Sequence, residues 1–280
     1  RKVKEYMKKY TIRKASGKKE SFNPEKLKAS LIYSGAASEV IEDILLHVED
    51  WMYEGISTQE IYKIVFRLLK KKSKSNAMNY RLKQGLLELG ETGFPFEHLV
   101  GEIFKRQGYS VEVGVVVEGR CVKHEMDVIA TKEREQKLVE CKYSGDQGKH
   151  VGVQVPLYVR SRVDDIVMKR KDMRKFSGLE FSGYVVTNTR FSEDAIDYGE
   201  CSKLNLLGWS YPPGNGLKDL ISRERIYPIT VLSYLTKKEK EMFMDAGVVT
   251  CKQLYDQMGE LKMFKEFTPR KMRNLQDELE

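Results

Sequence analysis

Cysteines are few and long apolar runs are missing in this 280-residue sequence. Cys121, Cys141, Cys201 and Cys251 are far apart and form no CxxC pair, so the spacing indicates neither a zinc site nor a disulfide framework. We expect free thiols in a reducing cytoplasm. No apolar segment is long enough to span a bilayer, and the basic N-terminus is not followed by the apolar block of a signal peptide. The sequence therefore predicts a cytoplasmic protein with no membrane partner.

Positive charge exceeds negative charge and is concentrated near the N-terminus. Forty-nine Lys and Arg against 41 Asp and Glu give a net charge of +8. Residues 1–30 hold eleven basic and three acidic residues, and further basic clusters lie at 67–74 (RLLKKKSK) and 160–175 (RSRVDDIVMKRKDMRK). Such clusters suit phosphate-bearing partners, although a solvated surface produces the same pattern.

The length and patterning predict separate cores rather than one. Glycine and proline at 90–95 (GETGFP) and 211–216 (YPPGNG) mark two boundaries. Before the first boundary, the pattern predicts two short strands around a Gly turn, a helix opened by Pro24, two amphipathic helices and a helix over 76–88. Ser57-x-x-Glu60 forms a capping box ahead of the second amphipathic helix.

The middle block mixes helices and strands. An apolar helical face that begins at Phe96 stops at Gly108, and the β-branched segments YSVEVGVVVEG, HEMDVIAT and KLVECKY then predict a small sheet built partly of hairpins. A basic helix over 153–172, the strand SGYVVTN, a helix from Ser192 and the strand LNLLGW complete an α/β layout.

Charged side chains interrupt the apolar segments of 124–143, HEMDVIATKEREQKLVECKY. Because side chains alternate across a strand, Glu140 and Lys142 point to one face, and Asp127 joins them if the preceding strand pairs alongside. Two carboxylates held together repel unless a cation lies between them, and Mg²⁺ prefers carboxylate oxygens. The alternative interpretation is an ordinary strand salt bridge between Glu140 and Lys142, with Asp127 at the end of a hairpin.

These elements resemble the PD-(D/E)xK nuclease superfamily, and most of all its Mrr-type restriction endonuclease branch. The helix with Glu97, the strand GYSVEV, Asp127 and the motif ECK at 140–142 occur in the expected order. The segment GYVVTNTRFSEDAIDYGECSKLNLLGW is also similar to that branch, so the resemblance covers about 94–210. The motif ECK, where many Mrr members have QxK, leaves the DNA substrate open.

This resemblance implies a metal-dependent DNA endonuclease. Asp127 and Glu140 would be ligands of Mg²⁺ or Mn²⁺, Lys142 the catalytic lysine and Glu97 an auxiliary acid. We expect Gln154 on the surface. Basic side chains of the following helical region would contact DNA phosphates or form a solvated face, namely Arg160, Arg162, Lys169, Arg170, Lys171, Arg174 and Lys175.

The first block resembles an ATP-cone, the nucleotide-sensing module found at the front of ribonucleotide reductases. The segments IRKASGKKESFNPEKLKASLIYSGA, STQEIYKIVFRLL and NYRLKQGL carry the similarity over most of residues 10–86. It implies ATP or dATP as an effector. The matching nucleotide contacts would be Arg13, Lys14, Lys26, Tyr80 and Arg81. The alternative is a DNA-binding arm on a small helical domain.

The last block is short and helical and looks like a helix-hairpin-helix module. Thr236-x-x-Glu239 forms a capping box, and Thr268-Pro269 gives a cap followed by a first-turn proline. Such modules contact the DNA backbone or dock proteins, and the mixed charge of this segment favours neither use.

The sequence as a whole predicts a multidomain α/β protein. Its domains would be a mostly helical ATP-cone (1–90), an α/β restriction-endonuclease-like core (91–211) and a small helical module (212–280). Its function would be Mg²⁺-dependent DNA cleavage regulated by a nucleotide, with a non-catalytic, nucleotide-responsive DNA-binding regulator as the alternative. One site per chain favours a homo-oligomer for cutting both strands.

Overall fold

The computed structural model describes residues 10–14, 17–90, 92–146 and 148–280. Two compact units are present, one ending at Lys83 and the other beginning at Gln84. The division falls close to the boundary expected at 90/91, whereas residues on both sides of 211/212 belong to the second unit. The three-domain boundaries therefore stay a prediction. None of the helices within the described residues is long and apolar enough to cross a membrane.

The first unit is mostly helical. The strands β1 (Thr11–Arg13) and β2 (Lys19–Ser21) pair antiparallel, as expected. The turn between them includes residues 15 and 16 of the quoted cone segment, which lie outside the described residues. The helices that follow confirm the predicted ones: α1 (Pro24–Tyr33), α2 (Ser38–Trp51), α3 (Thr58–Lys72) and α4 (Lys74–Leu87).

Local signals explain where these helices begin. Pro24 occupies the first turn of α1, and Asn23 caps it by accepting backbone N–H groups. The Ser57 hydroxyl caps the backbone of Glu60, and the Glu60 carboxylate reaches back, which confirms the predicted capping box of α3. The apolar faces of the helices then meet in a core that includes Leu31, Ile44 and Val65.

The second unit is built on a five-stranded mixed sheet with the order β3-β4-β5-β7-β9. The first three strands are antiparallel and the last two pair parallel, which confirms the predicted hairpins within an α/β layout. Their bounds are β3 (Ser110–Glu118), β4 (Lys123–Lys132), β5 (Glu135–Lys142), β7 (Glu180–Thr187) and β9 (Asn205–Leu207). A separate parallel pair consists of β6 (His150–Val151) and β8 (Arg190–Phe191).

Three helices pack against this sheet: α5 (Phe94–Arg106), α6 (Gln154–Lys171) and α7 (Glu193–Ser202). Helix α5 approaches β3 closely, because a Cβ at Gly101 would lie 3.1 Å from a Val113 methyl group. Val159, Val163 and Ile166 of α6 pack in one buried cluster with Leu138 of β5. The central strands are therefore covered by helices.

The remaining helices are α8 (Leu217–Glu224), α9 (Lys237–Asp245), α10 (Cys251–Asp256) and α11 (Pro269–Leu279). Thr236 and Glu239 form the predicted capping box, and Thr268 caps α11 ahead of Pro269. The chain between α9 and α10 turns at Gly247, which has a φ of +81° that favours glycine. The use of this helical segment stays a prediction.

Candidate active site

The predicted acidic residues lie where β4 and β5 separate. The strand register pairs Val128 with Val139, so Asp127 and Glu140 are the next residues on each strand. Asp127 Oδ2 accepts the backbone N–H of Cys141 at 2.6 Å. The carboxylate of Asp127 is therefore fixed against β5, beside Glu140.

A change of strand direction accompanies this separation. Met126 and Ile129 belong to the same buried cluster, although strict alternation would place them on opposite faces. On the neighbouring strand, Gly114 falls between the paired residues Val113 and Val115 and has a φ of +63°. A Cβ at Gly114 would meet no atom within 4 Å. The sheet is thus twisted and open beside Asp127, which a glycine permits without strain.

Glu140 is buried, with 3% of its surface exposed, and has three side-chain partners. Lys142 Nζ lies 2.7 Å from its Oε1, and the hydroxyl of Tyr158 donates to the same oxygen at 3.1 Å. The guanidinium of Arg162 forms an ion pair with Oε2. Tyr158 also lies under both cations, since its ring centroid is 5.7 Å from Lys142 Nζ and 5.4 Å from Arg162 Cζ.

The carboxyl groups of the site repel one another. Burial, followed by repulsion from Glu140, raises the pKa of Asp127 to about 6. Burial, followed by repulsion from Asp127, raises the pKa of Glu97 to about 7, so Glu97 of α5 shares this electrostatic environment. Burial alone would lower the pKa of Lys142, but its hydrogen bonds with Glu140 and Tyr158 hold that pKa above the ordinary range.

The donor set fits a hard divalent cation. Within the described residues, Asp127 forms no ion pair, and its one hydrogen-bond donor is the backbone N–H of Cys141. A cation beside it would relieve the repulsion that raises its pKa. The described part of the chain contains no group of three or more His, Cys, Asp or Glu placed to hold a metal ion. Asp127 and Glu140 are the neighbouring carboxyl groups that the site offers, with Glu97 in the same electrostatic environment, and oxygen donors of this kind suit Mg²⁺.

Two further segments are bonded to each other beyond the ends of β5 and β7. The Asn188 side chain accepts the backbone N–H of Ser144 at 2.9 Å and donates to its carbonyl at 2.7 Å. These two bonds join the chain that follows β5 to the chain that follows β7. Thr187 and Thr189 are buried beside Asn188, with their hydroxyl oxygens 3.0 Å apart. The loop next to Lys142 is therefore held in place.

The basic residues of 160–175 do not form one surface. Both interpretations are wrong for the buried Arg170, and for the exposed Lys171, Arg174 and Lys175 they stay predictions. Arg170 is 5% exposed and donates to Gln136, so it neither contacts solvent freely nor reaches a phosphate. Arg160 is paired with Asp164, and Arg162 is paired with Glu140. Gln154 is exposed at the start of α6, as expected.

Sequence reasoning missed Tyr158 and Asn188 and did not assign Arg162 to the site. Tyr158 and Arg162 are four residues apart on a predicted helix and so share one face, which is the signal that was present. Nothing local indicated that this face meets Glu140, because 22 residues separate Arg162 from it.

The predicted nucleotide contacts of the first unit fall into two groups. Arg13, Lys14 and Gly17 line a cavity of about 320 Å³ together with Ser57, the N-cap of α3. Lys14 Nζ lies 2.8 Å and Lys26 Nζ lies 3.8 Å from the carboxylate of Glu20.

Tyr80 and Arg81 of α4 are engaged in packing. The Tyr80 ring stacks on Tyr62 at 5.0 Å, and burial raises the pKa of its hydroxyl. Arg81 lies over the Phe66 ring at 5.5 Å. The structure thus brings Arg13, Lys14 and Lys26 around one hairpin and gives Tyr80 and Arg81 aromatic partners.

In comparisons with known proteins, two segments of the chain match protein-family models. A family model described as "Restriction endonuclease" matches residues 90–209, and one described as "AF1548-like, C-terminal" matches residues 227–280. An uncharacterized protein of Archaeoglobus fulgidus is 30% identical over 164 residues, which cover 59% of this chain and 87% of that protein.

Solved structures give related matches. The crystal structure of AF1548, described as a protein of unknown function, is 28% identical with a TM-score of 0.55, and the match covers 67% of this chain and 96% of that one. The DNA modification-dependent restriction endonuclease AspBHI is 13% identical with a TM-score of 0.33, over 60% of this chain and 39% of its own.

Proposed function

Because this chain belongs to the same family as the uncharacterized Archaeoglobus fulgidus protein and carries a restriction endonuclease domain, we propose that it is a metal-dependent DNA endonuclease. Asp127 and Glu140 would hold Mg²⁺ or Mn²⁺. The observation that carries this proposal is the meeting of Asp127, Glu140 and Lys142 at the point where β4 and β5 separate.

The chemistry follows from the charges of these side chains. A bound divalent cation supplies positive charge to a phosphodiester and lowers the pKa of a water molecule. Lys142 keeps its proton, because Glu140 and Tyr158 stabilise the ammonium, and it offsets negative charge that develops on the phosphate oxygens. Glu140 and Tyr158 also fix the position of its Nζ.

Glu97 is proposed as the auxiliary acid. Without metal, its pKa of about 7 means that the carboxyl is partly protonated at neutral pH. A carboxyl in that state can hold a proton at its oxygen and pass it to a leaving oxygen, or accept one from water. As a residue of α5, Glu97 would add a third carboxyl to the site from outside the sheet.

The test is cleavage of a supercoiled plasmid with Mg²⁺, on unmodified and methylated DNA, with EDTA lanes as the metal control. We expect native protein to nick or linearise the DNA and Asp127→Ala and Lys142→Ala to be slower by roughly 100-fold or more. Asp172→Ala and Lys105→Ala are matched controls, because both positions are exposed and neither belongs to the proposed site.

The same experiment decides between catalysis and binding alone. If native protein and both site variants leave every plasmid uncut, while the protein still binds DNA in an ATP-dependent manner, the non-catalytic regulator is the better description. The DNA class would then be defined by binding assays on the same unmodified and methylated substrates.

A nucleotide effector is the second proposal, and the cavity at Arg13 and Lys14 favours it. Backbone N–H groups at the start of a helix and neighbouring cations attract polyphosphate, and α3 begins at this cavity. Arg13, Lys14 and Lys26 would contact the phosphates of ATP or dATP, and Tyr80 and Arg81 would complete the site.

Calorimetric titration of the full chain with ATP and dATP tests the effector. We expect binding that Lys14→Ala weakens roughly tenfold and that Lys28→Ala, an exposed position on α1, leaves unchanged. Binding that is equal in native protein and Lys14→Ala would refute this site, and absence of heat with either nucleotide would refute the effector itself.

A further inference from the structure

Two short ribbons flank the candidate active site, and both expose basic side chains. The first ribbon is the tip of the β3–β4 hairpin, residues 118–124. The second ribbon is the β6–β8 pair with Lys149, which precedes β6. The ribbons expose Arg120, Lys123, Lys149, His150 and Arg190, and the described residues provide none of these side chains with an ion-pair partner.

We propose that these two ribbons bind the phosphate backbones of duplex DNA on either side of the site. This inference rests on the proposed endonuclease function and deepens it, because it names the surface that holds the substrate. Exposed cations without protein partners are the groups that neutralise phosphates and release counterions on binding.

The first ribbon is fixed to α6 by Asp165. The carboxylate of Asp165 accepts the backbone N–H of Cys121 at 2.8 Å and of Val122 at 3.3 Å, and His124 Nε2 lies 2.7 Å from it. The Asp165 carbonyl accepts the N–H of Arg120 at 3.0 Å. The hairpin tip therefore has a set position rather than a free one.

Arg162 connects this ribbon to the catalytic groups. Its guanidinium pairs with Glu140 and also donates to the backbone carbonyl of Glu125 at 3.3 Å. Arg162 lies one helical turn before Asp165 on α6. Helix α6 thus contacts Glu140 through Arg162 and the hairpin tip through Asp165, one turn later. These contacts place Arg120 and Lys123 beside the site.

The second ribbon continues the strands that carry the site. Strand β6 follows β5, whose last residue is Lys142, and β8 follows β7 after the short segment that contains Asn188. Val151 and Phe191 are buried, so the ribbon is anchored and its His150 and Arg190 side chains face outward. Ser192 N–H donates to the Val151 carbonyl at 3.0 Å and closes the pair.

Duplex rather than single-stranded DNA fits these ribbons. Proteins that bind single strands stack bases on exposed aromatic rings. Neither ribbon exposes a Phe, Tyr or Trp, since Phe191 is buried and the hairpin tip holds none. The hairpin instead exposes Val122 and, on β3, Val116, which are apolar groups of a size that a groove admits.

The test is fluorescence anisotropy with a labelled duplex, in the full-length Asp127→Ala background without divalent metal, so that binding is measured apart from cutting. The variants are Arg120→Ala/Lys123→Ala and Lys149→Ala/Arg190→Ala. The control is Lys105→Ala/Arg106→Ala, which removes the same charge from exposed positions at the C-terminal end of α5. Unchanged circular dichroism spectra verify the fold of each protein.

Each ribbon variant should bind duplex DNA roughly tenfold more weakly at near-physiological salt. Its plot of log K against log salt should be shallower by about 2, because two phosphate contacts are lost. The control should stay within about twofold of the background protein. Two results would overturn the proposed DNA-binding role of the ribbons. One is a loss of affinity in the control equal to that in the ribbon variants, and the other is ribbon variants that bind duplex DNA as tightly as the background protein.

The outcomes separate this inference from the endonuclease itself. If native protein cuts plasmid and the ribbon variants bind and cut normally, only the DNA-binding role of the ribbons is overturned. A protein that binds duplex DNA through the ribbons and never cuts overturns the proposed catalysis alone. Tighter binding to the matching single strand, equally weakened in the ribbon variants, would assign the ribbons to single-stranded DNA and overturn the duplex proposal.

Discussion

At the residue scale, Glu140 has features of both interpretations of the charged residues around it, the ordinary strand salt bridge and the metal site. The ion pair with Lys142 is present at 2.7 Å, as an ordinary strand salt bridge would require. Glu140 is nevertheless buried and also bonded to Arg162 and Tyr158 from another element. A buried carboxylate is costly without such partners, so these three groups offset its burial and hold Glu140 in place. Asp127 has no such compensation, which is why a cation suits the site.

The raised pKa values at this site predict how stability depends on pH. The pKa of Asp127 in the folded chain is about 6, above its ordinary value, and that of Glu97 is about 7. The folded state therefore binds more protons than the unfolded state between about pH 4 and 7. Without divalent metal, stability should fall as pH rises through this range, by ~1–2 kcal/mol from Asp127 alone.

Urea denaturation at a series of pH values checks this. Asp127→Asn cannot ionise, so its stability should fall less between pH 4 and 7 and should exceed that of native protein at neutral pH. Glu260→Gln, at an exposed carboxyl, serves as the control. Mg²⁺ should restore stability to native protein at pH 7 and not to Asp127→Asn. A variant with the native slope would contradict the assignment.

At the element scale, the β3–β4 hairpin is held by one side chain on a helix. Asp165 lies more than 40 residues from the hairpin tip in sequence, and its hydrogen bond with His124, then those from Cys121 and Val122, lower its pKa below the ordinary range. The carboxylate of Asp165 thereby adds charge-assisted hydrogen bonds to the backbone bonds that hold this turn.

Removing this carboxylate should loosen the hairpin tip without unfolding the sheet. In Asp165→Ala we expect the amides of Cys121 and Val122 to exchange with deuterium at least about tenfold faster, because their acceptor is lost. The amides of β5 should keep their protection. Asp164→Ala is the matched control, since the adjacent carboxylate of Asp164 pairs with Arg160 on the same helix. Equal exchange in both variants would contradict the role of Asp165.

At the scale of the whole molecule, each chain carries one candidate site within its second unit. A single site can hydrolyse one strand of a duplex in one encounter. Cutting both strands at one place therefore requires either a second encounter or two chains acting together, which is the reason for proposing a homo-oligomer.

Plasmid kinetics test this proposal directly. If two chains act together, linear product should form at a rate that rises with roughly the square of protein concentration, while nicked product rises in proportion to it. An inactive Asp127→Ala chain mixed in excess with native protein should then suppress linear product more than nicked product. First-order formation of both products would show that one chain acts alone.

The sequence by itself determined the elements and part of the site. Apolar periodicity and caps located the helices, as the Ser57–Glu60 and Thr236–Glu239 boxes demonstrate, because these signals act within a few residues. Strand alternation placed Glu140 and Lys142 on one face for the same reason.

Only the tertiary structure decided what surrounds those residues. Several contacts join residues 18 to 44 positions apart. They are the contacts of Glu140 with Tyr158 and Arg162, those of Asp165 with the hairpin tip, and that of the buried Arg170 with Gln136. Local patterns carry no record of which helix face meets which strand, since that depends on how whole elements pack. The basic set at 160–175 looked uniform in sequence, and packing alone separated its buried, paired and exposed members.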